Sequence, residues 1–188
     1  MRSKRIISTI VCGLFSLLIA GCTEKNNLQS PAHADEPDSW QKHLTPTTID
    51  TAKPMAVEEE IYVPIYSHIY VENEQRTVDL AATFSFRNVD PDHSIIIKSV
   101  RYYSTDGTLL KEYLKTPVLL KPLATADFVI TREDSSGGSG ANFLIDWVAK
   151  TSVLEPLAES VMVATGSPQS MAFTSRGIVI KKGGITSK

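Results

Sequence analysis

The sequence predicts an all-β domain: a single sandwich of about seven or eight strands, with immunoglobulin-like layers and no disulfide. Three observations lead there. From about residue 58 onward, apolar residues alternate with polar ones in short runs, as half-buried strands require. Turn-forming residues separate those runs at the spacing of sandwiches and barrels. No segment sustains a helical period, and no internal repeat is visible.

The elements follow in order. EIYVPIYSHIYV reads as a strand carrying Pro64, which lacks a donor for a ladder and so predicts an edge or bulged strand. In TVDLAATFSFRN, the side chains of Val78, Leu80, Ala82, Phe84 and Phe86 fall on one face. SIIIKSVRYYS and LLKEYL flank Thr105-Asp106-Gly107-Thr108, whose Asp-Gly pair tolerates positive φ and predicts a hairpin. KTPVLLKPLA is a proline-punctuated crossing, and DFVITRED resumes alternation. ANFLIDWVA places Phe143, Ile145 and Trp147 on one face. LEPLAESVMVATG and MAFTSRGIVI close the domain, with LEPLAES open to a short helical turn instead.

Upstream, the chain opens MRSKRIISTIVCGLFSLLIAGC. Arg2, Lys4 and Arg5 precede an uncharged run from Ile6 to Ala20, roughly fifteen residues where a membrane span needs about twenty. A basic start, a short apolar core and small residues at its end describe an export signal. Ile19-Ala20-Gly21-Cys22 matches the lipobox of bacterial lipoproteins. There the thiol receives a diacylglyceryl group before cleavage, and acyl chains such as palmitate anchor the mature chain. Residues 1–21 are therefore expected to be a lipoprotein signal peptide, with Cys22 the lipidated residue. Two or more acyl chains, at about 0.8 kcal/mol per buried methylene, hold stably. Thr23 rather than aspartate follows the cysteine, which by likeness to other lipoproteins directs the chain to the outer membrane if the host has one. The expected location is the cell envelope, facing the periplasm or the exterior.

Residues 22–57 are expected to form the lipidated cysteine and a flexible tether, and residues 58–188 the sandwich. The tether segment holds four prolines among many polar residues, too little apolar surface to order itself. Trp40 is its one large apolar group. The only other cysteine, Cys12, lies in the segment to be removed, so thiol catalysis and thiolate metal sites are excluded. There are 19 basic and 21 acidic residues, and loss of Arg2, Lys4 and Arg5 leaves 16 against 21, about −5. A mildly acidic chain is a poor nucleic-acid binder.

The chemically densest stretch is EDSSGGSGANFLIDW. A phosphate loop needs N–H groups at a helix start, but here a strand follows and no GxxxxGK[ST] lysine is present. A GxSxG nucleophile turn also fails to match. Two readings remain open: an inter-strand connection, or a binding loop. The second rests on Asp134, Ser135, Ser136 and Asn142 beside Gly137, Gly138 and Gly140, joined by Ser175 and Arg176 of FTSRG. Arg87 and Arg176 are candidates for a carboxylate or phosphate, and equally for a pair with Asp90 or Asp134. Ser67 and His68, being adjacent on a strand, point to opposite faces and cannot act as nucleophile and base. Tyr62, Tyr66 and Tyr70 would share a face with His68, as a core edge or a stacking surface. His33, His43, His68 and His93 show no zinc spacing. Asp90, Asp92 and Asp106 fit turns better than a calcium loop. No cofactor or metal is expected.

YVPIYSHIY, RNVD, YYSTDG, DSSGGSGANF and FTSRG, in this order, resemble a family of bacterial lipoproteins catalogued as domain of unknown function 3124. The likeness covers about Tyr62 to Val179. It implies a small envelope domain and supplies no catalytic residues. With no acid–base or nucleophile signature, the expected function is a non-enzymatic binding or interaction module, held to the membrane by its N-terminal lipid. Its partner would be an envelope protein or small ligand. The alternative is an envelope hydrolase acting on cell-wall or lipid material.

Overall fold

The computed structural model describes residues 44–166 and 170–185. The expected signal segment, Cys22 and most of the expected tether lie outside these residues. The strands are β1 (Thr45–Pro46), β2 (Val57–Pro64), β3 (His68–Val71), β4 (Asn73–Asp79), β5 (Ala81–Arg87), β6 (Ile95–Tyr103) and β7 (Leu109–Glu112). They continue with β8 (Val118–Leu120), β9 (Thr125–Ile130), β10 (Asn142–Ala149), β11 (Leu157–Ala164), β12 (Met171–Arg176) and β13 (Ile178–Gly183). The described residues contain no helix, and the domain is all-β.

One sheet has seven strands in the order β1-β8-β6-β10-β2-β13, with β7 also paired to β6. The second has four, β12-β11-β5-β9, and β3 and β4 form a separate hairpin. All pairings are antiparallel. Alternation gives each sheet a mainly apolar inner face, and the two inner faces close on each other as a sandwich. Ala82, Phe84 and Phe86 of β5 are buried as the alternation predicts, and so are Phe143, Ile145 and Trp147 of β10. Phe143 is the hub. Its ring lies 4.9 Å from Phe84, 5.1 Å from Tyr102 and 5.7 Å from Tyr113, centroid to centroid, in the range of favourable aromatic pairs.

The chain crosses directly from one sheet to the other between β12 and β13. β12 pairs with β11 in the small sheet, and β13, one residue later, pairs with β2 in the large one. The bend is at Gly177. A Cβ there would sit 2.7 Å from Ile61 Cγ2 and 3.0 Å from both Ala158 Cβ and Val63 Cγ2, so only glycine lets the chain pass between the layers.

The structure departs from expectation in four places. β2 is not an edge: it lies between β10 and β13. Pro64 is tolerated because it is the last residue of the strand, where no further donor is demanded. The strand therefore breaks, and Tyr62, Tyr66 and Tyr70 do not form one stripe. Tyr66 packs edge-on against Phe173, while Tyr70 packs against His68 in the β3–β4 hairpin. LEPLAES is not helical, and its Leu157 to Ser160 begin β11. Finally, residues 44–56, placed in the tether by composition, pack on the large sheet. Ile96 and Val148 project from its outer face, and Met55 buries them with Ile49 and Leu119. Thr47 N–H donates to Pro117 O and Ala56 N–H to Ala149 O, each at 2.9 Å.

Candidate functional site

The glycine-rich loop joins β9 to β10 at the end of the sandwich that also carries the β6–β7 turn. Its backbone polar groups are engaged by neighbouring segments, while Ser135 and Ser136 stay exposed. The main-chain carbonyl of Gly137 accepts from Thr105 N–H at 2.8 Å and from Thr105 Oγ1 at 2.9 Å. Thr105 Oγ1 in turn accepts from Gly140 N–H at 2.9 Å. Ser67 N–H donates to Gly138 O, and Ile65 N–H to Ala141 O, both at 3.0 Å. Asp134 accepts from the N–H and hydroxyl of Ser136, while Ser135 offers its carbonyl to Gly138 N–H. Asn142 is the first residue of β10, opposite Pro64 and Tyr103.

Beneath this loop, Ser67 Oγ and the Tyr102 hydroxyl share a buried hydrogen bond of 2.9 Å. Burial pushes the Tyr102 phenol up, and the bond to Ser67 offsets that only in part. Gly137 lies directly on the pair. A Cβ there would overlap the Tyr102 hydroxyl and approach Ser67 Oγ to 2.7 Å. The glycine is required by close packing, and the loop is a clasp over a polar pair.

Ser175 and Arg176 are elsewhere. Arg176 stands level with Glu159 and Ser85, whereas the loop end of the small sheet lies at Ala81 and Val163. Four residues of strand separate the two levels, on the order of 13 Å. Ser175 faces β11, and its carbonyl accepts from Ser160 Oγ at 3.4 Å. Arg176 lines a cleft of about 210 Å³ with Ile61, Glu155, Pro156, Ala158, Gly177 and Val179. The cleft opens where the strand crosses between sheets. Among the described residues, no hydrogen bond or ion pair is made by the Arg176 guanidinium. The two motifs grouped by residue type thus belong to two places: the glycine loop and the crossing cleft.

Two further polar constellations lie away from both motifs. On the outer face of the large sheet, Arg101 bonds Glu60 Oε1 at 2.9 Å and Asp146 Oδ2 at 2.7 Å. Burial opposes its charge, but Asp146, Tyr103 and Glu60 outweigh it and hold the guanidinium pKa above its usual value. At the end opposite the glycine loop, Asp90 Oδ1 accepts from Asp92 N–H (2.9 Å), His93 N–H (2.8 Å) and the His93 ring (3.1 Å), and Oδ2 from Leu154 N–H at 3.0 Å. Those donors, Asp92 and Leu154 foremost, lower its pKa to about 2. Asn88 completes the network, donating to His93 O at 2.8 Å and Lys121 O at 3.0 Å. Two of the three carboxylates considered for calcium are therefore occupied by turns: Asp90 here, and Asp106 by Ser104 and Thr108 N–H. Among the described residues, no group of three or more ligating side chains is placed to hold a metal.

Fold and site together define a small, cysteine-free antiparallel β-sandwich with a cleft at its sheet crossing. A family model described as "Protein of unknown function (DUF3124)" matches residues 58–180, and the chain belongs to that family. No curated protein matches it. Among solved structures it is similar to one described as the crystal structure of Thermotoga maritima 1070. The identity is 10%, covering 64% of this chain and 92% of the other, with a TM-score of 0.39.

Proposed function

We propose that the protein is a lipid-anchored bacterial envelope module that binds a carboxylate- or phosphate-bearing envelope component at the sheet-crossing cleft, without catalysing its conversion. The observation that carries this reading is the Arg176 guanidinium, which is unpaired among the described residues and lines a 210 Å³ cleft that it shares with Glu155. An unpaired planar cation in a mostly polar cleft suits a small anionic group. The lipobox ending in Cys22 supports the envelope location. Ser67, the serine set beside His68, is buried and bonded to the Tyr102 hydroxyl, which favours the non-enzymatic reading. The test compares Arg176→Ala with Asn142→Ala for capture of anionic envelope material and for melting temperature. Arg176→Ala should lose capture with stability within about 0.5 kcal/mol of the parent, as for an exposed side chain, while Asn142→Ala retains it. Undiminished capture by Arg176→Ala removes the cleft from the account.

A further inference from the structure

Three loops meet at the end of the sandwich marked by Asp90: residues 88–94 after β5, residues 121–124 after β8, and residues 150–156 after β10. Each presents one large apolar side chain to solvent. Val89 is 37% exposed, Leu123 68% and Leu154 56%. Single exposed apolar residues are ordinary, but these three are held by one residue. Leu154 N–H donates to Asp90 Oδ2 at 3.0 Å, Leu123 N–H donates to Asp90 O at 3.3 Å, and Val89 adjoins Asp90 in the chain. The three side chains thus form a rim of fixed spacing rather than a scatter.

Leu123 is the most informative. It sits at φ 57°, in the left-handed region where glycine or asparagine is at ease and a branched apolar residue is strained. The turn Lys121–Ala124 is closed by Ala124 N–H to Lys121 O at 3.2 Å, so the backbone gains nothing from leucine. The side chain is not buried in compensation either. The residue that fits the backbone worst is the one most exposed on the rim.

The described chain begins at this same end. Thr45 pairs with Leu119, and Leu120 pairs with Ile95, which puts Leu44 beside the start of the Lys121 turn. Any lipid on Cys22 would be joined to the domain here. Around the rim, Arg87, Lys121 and Lys150 are matched by the carboxylates of Asp90, Asp92 and Glu155, a near-neutral balance that leaves the contact to the apolar side chains.

We infer that Val89, Leu123 and Leu154 form a membrane-contacting rim that seats the domain on the bilayer carrying its own lipid anchor. The inference rests on the envelope-lipoprotein reading, so the experiment separates the two. Leu123→Cys and Leu154→Cys are each labelled with an environment-sensitive fluorophore in the full chain, with Tyr70→Cys and Val129→Cys as controls. Tyr70 belongs to the β3–β4 hairpin at the opposite end, and Val129 is exposed in β9. The proteins are placed on vesicles of phosphatidylethanolamine and phosphatidylglycerol containing acyl-chain quenchers. Labels at 123 and 154 should be quenched several-fold more than those at 70 and 129. If Cys22 proves unlipidated, the anchoring reading fails by itself. The same chains, with Cys12→Ser and Cys22→Ser so that only the introduced thiol takes the label, are then held through an N-terminal hexahistidine on nickel-chelating lipid, and the rim is still read. Equal quenching at all four positions overturns the rim on either anchor.

Discussion

At the scale of single residues, close packing accounts for the glycine at position 137. Gly137 lies against the Tyr102 hydroxyl and Ser67 Oγ, so Gly137→Ala should cost about 1–3 kcal/mol, the usual range for overpacking. Tyr102→Phe removes the hydroxyl a new methyl would strike. A double-mutant cycle measured by denaturant unfolding should then show Gly137→Ala costing distinctly less in the Phe background. Equal costs in both backgrounds would mean the glycine serves something other than this contact. Residue type in the sequence marked the loop as special, but not why, because the partner Tyr102 lies far along the chain and meets it only across strands.

At the scale of elements, covering a sheet face decides where the domain begins. Ile96 and Val148 are apolar on the side of the large sheet turned away from the sandwich core, and Met55 covers them. Met55→Ala should therefore destabilise the domain by about 2 kcal/mol, as for other buried methionines, and a chain starting at Val57 should melt lower than one starting at Leu44. No difference would return residues 44–56 to the tether. This packing was hidden because a two-residue strand among prolines carries no alternation. The long strands were legible for the opposite reason: β5 and β10 alternate cleanly, and the Asp-Gly pair announced the β6–β7 hairpin. The crossing at Gly177 and the central position of β2 were not, since both depend on register between distant strands. The separation of Arg176 from Asp134 and Asn142 was unreadable on the same ground.

For the whole molecule, the two ends of the sandwich are built differently. One is clasped by the glycine loop, and the other by Asp90, whose carboxylate bonds the loops around His93 and Leu154. Because the folded-state pKa of Asp90 is lowered to about 2 from 3.8, its contribution to stability is fully present above the ordinary carboxylate range. It should fade as pH falls from there through about 2. Asp90→Asn should accordingly melt below the parent at pH 7, with the gap narrowing toward pH 2. A gap independent of pH would exclude the charge as its source. Anchoring is the larger claim, since the location, the cleft's supply of envelope ligands and the rim all presuppose it. It is tested most directly by the intact mass and N-terminal fragment masses of the protein extracted from membranes of its native host. The account predicts a chain beginning at Cys22 that carries a diacylglyceryl group. An unmodified Cys22 within a longer chain, or a mature terminus elsewhere, would contradict it.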